Sequence, residues 1–176
     1  EFRAQRRASM AEENRARAME LYEARDYEEA LVPLSRAAGN DREDIEVLLA
    51  FADTRSRITR PGGQHLLEAL GYYQRVITLA QQATPEQRRT ARLRIIELAP
   101  RVGGWETLDP AAEELLADAD RLDRSQRRLT LRGLVQASRS VRDLSALDRI
   151  AEEQGWLAEA EAFMAEVQAD LDAAGS

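Results

Sequence analysis

Cysteine and lysine are both missing from the 176 residues, and histidine occurs once. The lack of cysteine removes disulfides, zinc fingers and thiol nucleophiles together, and leaves the compartment open, since periplasmic proteins also do without it. All 25 basic residues are arginine, a bias that reads as the codon usage of a high-GC bacterial genome. Glycine and proline, at 9 and 5 residues, are too few for a disordered chain. No run approaches the ~20 apolar residues of a membrane span, and no signal-peptide arrangement is present. A net charge of −7 opposes global attraction to nucleic acid or to an anionic membrane.

What is present is an ordinary globular balance, 44% apolar and 32% charged, over a length sufficient for one domain or about four or five stacked helix pairs. Helical periodicity runs nearly end to end without alternating β-branched runs, which predicts an all-α fold. The breaks carry capping chemistry. Asp26 with Glu29 and Asn40 with Glu43 read as N-cap and N3 pairs, and Gly39 suits a helix C-terminus. Thr84-Pro85-Glu86-Gln87 and Asp109-Pro110 place a capping oxygen before a proline, and Ser125 is a further cap. The resulting helices are 8–24, 27–38, 43–58, 64–83, 85–100, 110–121, 125–139, 143–153 and 156–172, nine in all, short-linked and hence antiparallel in pairs. The longer break at Thr59-Arg60-Pro61-Gly62-Gly63 reads as a surface loop extension.

The segment Ala18-Met19-Glu20-Leu21-Tyr22-Glu23-Ala24-Arg25-Asp26-Tyr27-Glu28-Glu29-Ala30-Leu31 resembles the central turn of a tetratricopeptide repeat. The family's small residues fall on Ala18 and Ala30 and its turn pair on Asp26-Tyr27; Arg25 stands where the family usually has glycine. Alanine at each close approach lets the backbones pack tightly, while Leu21, Leu31 and Leu34 fill the groove between them. A second copy places Leu48, Phe51 and Ala52 on a first helix and Ala69, Leu70 and Tyr73 on its return. A third runs from Ile95 and Ala99 through Gly103 and Trp105 to Ala112. Ala146, with Leu147 and Ile150, repeats the pattern 34 residues beyond Ala112. A rival register treats Leu144, Leu147, Ala151, Gly155, Ala160 and Met164 as a repeat of its own, and both remain open. The resemblance implies a right-handed solenoid over residues 11–172, with 1–10 as an extension and 173–176 as a tail. The last helix, with Leu157, Ala160, Met164, Val167 and Leu171 on one stripe, would cap it.

Candidate chemistry is sparse. His65 has no second histidine or cysteine to share a transition metal, so it reads as an ordinary surface or half-buried side chain. Gly62-Gly63 and Gly103-Gly104 read as turns, not phosphate loops. Glu113-Glu114 and Glu152-Glu153 point about 100° apart on a helix and do not converge on a substrate. The clusters Arg88, Arg89, Arg92, Arg94 and Arg124, Arg127, Arg128, Arg132 lack interleaved aromatics and read as solvated faces, so no nucleic acid is expected. Leu157, Met164 and Leu171 recur every seven residues, which keeps a homo-oligomeric contact open beside the capping role.

In the resembled family the first helices of successive pairs line a groove that holds a partner's peptide or helix. Carried over, that groove is lined by Glu12, Arg15, Met19 and Tyr22, by Leu49, Asp53 and Arg57, and by Glu97 and Arg101. The implied function is non-catalytic binding of a protein segment with apolar and acidic side chains, with no cofactor and no metal. The basic and asparagine constellation that clamps a chaperone's terminal carboxylate is not recognisable. A spacer or self-assembling scaffold using the last helix or an end face is the structural alternative, and a helical hydrolase with carboxylate chemistry is the enzymatic one. The opening Glu1-Phe2, without methionine, reads as a cut fragment with a cloning scar. Arg3, Arg6 and Arg7 ahead of the first repeat fit an upstream membrane anchor with the domain on the cytoplasmic side; a cytoplasmic or membrane-tethered protein is expected.

Overall fold

The computed structural model describes residues 2–104, 107–118, 121–123, 125–127, 129, 130, 133 and 165. Among them every regular element is helical. The order is α1 (Phe2–Glu23), α2 (Tyr27–Asn40), α3 (Ile45–Arg57), a 3-10 turn (Pro61–Gly63), α4 (Gln64–Thr78), α5 (Pro85–Leu98), a second 3-10 turn (Ala99–Val102) and α6 (Leu108–Leu116). The chain divides into two compact units, Glu1–Arg94 and Ile95–Ser176.

In the first unit α1 packs on α2, α2 on α3 and α3 on α4, and α1 also touches α3. The alanines set this spacing: Ala18, Ala30, Ala52 and Ala69 are all at 0% exposure. A methyl at each of these positions lets neighbouring backbones approach closely. Leu34, Leu48, Phe51, Leu70, Tyr73 and Val76 fill the space between the helices. Each fully buried leucine or valine contributes about 1.5–3 kcal/mol. Phe51 meets Tyr72 edge to face, with centroids 4.7 Å apart and planes at 71°. The central position of α3 explains its burial on several sides, from Ile45 through Arg55. Even Arg55 is buried there, paired with Glu68 of α4.

The helix ends differ from expectation in several places. α1 starts at Phe2, not near residue 8. It ends in a Schellman motif: Asp26 N–H donates to Leu21 O at 3.0 Å and Arg25 N–H to Tyr22 O at 2.9 Å. That geometry puts Arg25 in the left-handed region at φ 62°. Asp26 occupies the N-cap position of α2 but its side chain makes no capping bond. Gly39 and Asn40 remain inside α2, so the Asn40–Glu43 cap is corrected: Asp44, directly before the apolar Ile45, accepts from Val47 N–H at 3.2 Å. Asp41 closes the intervening turn by accepting from Glu43 N–H at 2.9 Å. α4 stops at Thr78 rather than 83; the Thr78 hydroxyl bonds back to Arg75 O, and Arg88 caps the following turn through Ala80 O and Ala83 O. The cap before α5 is as read, with Thr84 N–H donating to Gln87 Oε1 at 2.8 Å and Gln87 N–H to Thr84 Oγ1 at 3.2 Å.

In the second unit Ile95, Ile96, Leu98, Ala99, Leu108, Ala111, Ala112, Leu115 and Leu122 are buried. Gly103, at φ 71°, ends the first helical run, and Gly104 N–H returns to Ala99 O at 2.9 Å. α6 begins at Leu108, so Asp109 lies inside it and is not its cap. The cap read as Ser125 is Asp123, which exchanges reciprocal bonds with Gln126 at 2.9 and 3.1 Å. Ser125 falls within the helix that follows. Trp105 and, apart from a few positions, the helices expected over 125–139, 143–153 and 156–172 lie outside the described residues, with Ala146, Leu147, Ile150, both rival registers and the terminal stripe.

Candidate functional site

Among the described residues a polar cluster is built on Asp53. Its place on α3, between buried Ala52 and Thr54, leaves it only 7% exposed, and an isolated carboxylate so placed would be costly. Four bonds satisfy it. The Tyr22 hydroxyl of α1 donates to Oδ2 at 3.2 Å, Arg57 of α3 donates Nε to Oδ2 at 2.9 Å and Nη2 to Oδ1 at 3.2 Å, and Arg94 of α5 donates Nη2 to Oδ1 at 3.3 Å. The Arg57 guanidinium also lies 4.7 Å from the centre of the Tyr27 ring, and Tyr22 meets Tyr27 edge on at 6.1 Å. One carboxylate therefore gathers side chains from α1, α3 and α5.

The electrostatics follow from these contacts. Burial, then the charge of Asp53 and the bond to it, push the Tyr22 hydroxyl up to about 12. The bond to Asp53 raises Arg57 above its ordinary value, outweighing partial burial and the repulsion of Arg94. A second cluster lies toward the start of α3. Arg15 donates Nε to Asp44 at 2.5 Å and Nη2 to Glu46 at 2.7 Å. These bonds hold Arg15 above the ordinary arginine range against the opposing effect of burial. Burial pushes Asp44 up, but the bonds from Arg15 and Val47 N–H prevail and hold its carboxyl below the usual range. Beside this cluster is a recess of ≈ 300 Å³ lined by Ala11, Glu12, Arg15, Ala37, Asn40, Asp41 and Asp44.

Of the nine residues placed in a groove by the sequence, Tyr22, Asp53 and Arg57 converge directly. Met19 and Leu49 are half-buried on α1 and α3. Glu12 and Arg15 belong to the recess, with Arg15 committed to two carboxylates of its own chain. Glu97 and Arg101 are exposed and belong to the second unit. Two participants at Asp53 were missed. Tyr27 was read only as a turn residue, and Arg94 only as part of a solvated arginine face. The signal for Arg94 was its position three residues after Ala91 and one before Ile95, both buried, which puts a charge at the border of an apolar stripe. Arg127, from the other arginine cluster, donates to Leu122 O at 3.1 Å, whereas Arg124, Arg128 and Arg132 lie outside the described residues.

His65 is also corrected: it is buried at 6% exposure, and its Nδ1 accepts from the Arg60 backbone N–H at 3.1 Å, tying down the loop before α4. Two consecutive left-handed glycines, Gly62 and Gly63, bend that loop. Among the described residues no group of three His, Asp or Glu side chains is placed to hold a metal ion, and no helix is long and apolar enough to cross a membrane. No protein-family model, curated protein or solved structure matches the chain.

Proposed function

We propose that the chain is a tetratricopeptide-like solenoid whose alternate helices, α1, α3 and α5, form a binding face for a peptide or helix of a protein partner. The observation that carries this reading is the meeting of Tyr22, Asp53, Arg57 and Arg94, from three alternate helices, on one carboxylate. Direct contact of α1 with α3 supports the same arrangement, because in stacked hairpins the first helices of neighbouring pairs adjoin. Along this face half-buried Met19 and Leu49 offer apolar contact beside exposed arginine, a mixture suited to an amphipathic segment. The role is recognition and not catalysis.

The test is capture of a partner from the source organism, then titration of that partner, purified, against wild type, Leu49→Ala, Arg57→Ala and Val32→Ala. Val32 is 55% exposed on α2, a second helix, and serves as the control. Leu49→Ala is expected to cost about 1–3 kcal/mol of binding and Arg57→Ala ~1 kcal/mol, with Val32→Ala unchanged. A partner insensitive to Leu49 and Arg57 but sensitive to Val32 would move the site to the other face and refute the assignment.

A further inference from the structure

We infer that the recess beside Arg15 receives the guanidinium of an arginine side chain in the partner segment, an inference that rests on the binding face proposed above. The recess, of ≈ 300 Å³, is lined by three carboxylates, those of Glu12, Asp41 and Asp44, and by one cation, Arg15. Arg15 is already held by Asp44 and by Glu46, which leaves it no charge to spare for the other two. Glu12 makes no hydrogen bond or ion pair among the described residues, and neither does the Asn40 side chain. Asp41 accepts from Glu43 N–H through Oδ1, and its Oδ2 has no partner among the described residues. Arg42, next to Asp41, is exposed and does not line the recess. The last turn of α2, which supplies Ala37 and Asn40, carries no basic residue to offset the negative end of the helix dipole. Free acceptors and surplus negative charge together select a cation.

Geometry narrows the cation to a guanidinium. Among the described residues no three carboxylates are placed to hold a metal ion, so those of the recess line its walls without converging on one point. An ammonium presents its donors from a single atom, whereas a guanidinium spreads five N–H groups over a plane and reaches separate acceptors. Ala11 and Ala37 supply apolar wall for the methylene stem. At ≈ 300 Å³ the recess stands at the lower limit of small-ligand sites, about 300–1,000 Å³, which suits one side chain and not a helix. It also adjoins the proposed face, because Glu12, Arg15 and Met19 follow one another on α1 at helical intervals and share one stripe. A partner with an apolar side chain on Met19 thereby brings a neighbouring arginine to the recess.

The experiment follows the backbone amides of residues 11–15 and 40–44 and the Asn40 side-chain amide of the full chain by NMR. The titrants are three blocked pentapeptides with a central arginine, lysine or citrulline. The expected result is a saturable shift at these signals with the arginine peptide, about three- to ten-fold weaker binding of the other two, and weakening as salt rises. Glu12→Gln should lower the affinity for the arginine peptide about three- to ten-fold. Glu13→Gln, at the neighbouring exposed position outside the recess, should leave it unchanged, with circular dichroism showing that both variants stay folded. Equal losses in the two variants would reduce the effect to general charge attraction and overturn the site. Equal binding of the lysine peptide would overturn the guanidinium assignment, as would the same saturable shifts with calcium. Tighter binding of propylguanidine than of the arginine peptide would make the recess a site for a free small molecule and overturn the partner assignment. If Glu12→Gln leaves the captured partner's affinity unchanged while Leu49→Ala lowers it, the arginine site fails and the binding face stands. If Glu12→Gln lowers it while Leu49→Ala and Arg57→Ala do not, the arginine site stands and the face fails.

Discussion

Replacing Arg25 by glycine should make the protein more stable. Arg25 is the left-handed residue of the motif that ends α1, at φ 62°, and it is exposed. Its side chain makes no hydrogen bond or ion pair among the described residues, so nothing offsets the backbone cost. For a residue with a Cβ the left-handed conformation costs roughly 1–2 kcal/mol, because Cβ crowds the following carbonyl oxygen. Glycine removes that cost but adds about 0.4–1 kcal/mol of unfolded-state freedom. The net gain for Arg25→Gly is about 0.5–1 kcal/mol. With a chain of this length the melting temperature should rise by about 1–4 °C. Urea unfolding at fixed pH, followed by helical circular dichroism, reads the same change as a higher midpoint with an unaltered slope. Arg25→Ala is the control, since it removes the side chain and keeps the Cβ. Equal stability of the glycine and alanine variants would refute the argument, because it would mean that the left-handed turn carries no cost here.

Three further outcomes follow from local geometry. Thr84→Ala removes the side-chain acceptor for Gln87 N–H and should lower stability by about 1 kcal/mol, with Thr84→Asp close to wild type in urea unfolding. Tyr22 keeps its proton to about pH 12 when folded, while an unfolded tyrosine loses it near about pH 10. Its contribution is therefore complete below the lower value and is lost as pH rises through the higher one, so the urea midpoint should fall across that window, less steeply in Tyr22→Phe. A Cβ at Gly133 would lie 2.6 Å from Ile96 Cγ2, so Gly133→Ala should cost about 1–3 kcal/mol of thermal stability, and much less when introduced into an Ile96→Ala background, which lacks that atom.

The helical nature of the chain was legible because its apolar residues keep a 3.6-residue period, and the small positions were legible because close approach selects alanine. Ala18, Ala30, Ala52 and Ala69 stand where the family resemblance implies small residues, and all are fully buried. Helix ends were less legible. Several polar residues compete at each break, and the winner depends on tertiary partners: Asp44 serves as a cap while also receiving Arg15 from α1, a contact with a residue 29 positions away. His65 was misjudged for the same reason, since its partner is the Arg60 backbone amide, on the other side of the Gly62-Gly63 bend. Three groove candidates come together, but nothing in the residue pattern marks Asp53 as the shared acceptor. Charged residues at the edge of an apolar stripe look solvated until the neighbouring helix is in place.

The position of Asp53 makes binding and stability hard to separate at Tyr22. The hydroxyl of Tyr22 contributes to satisfying a buried carboxylate, so truncation to alanine disturbs the junction of α1 and α3 whether or not a partner is present. A loss of affinity in Tyr22→Ala would therefore not identify the ring as a contact. Tyr22→Phe isolates the two roles, because it keeps the ring's apolar surface and removes only the donor. Arg57 and Arg94 can continue to neutralise Asp53 in that variant, so its cost should be near ~1 kcal/mol in stability. If the ring packs against a partner, Tyr22→Phe should then bind as wild type does while Tyr22→Ala does not. If both variants lose affinity together, the effect comes from the altered arginine positions, and the anchor has to be sought at Met19 or Leu49.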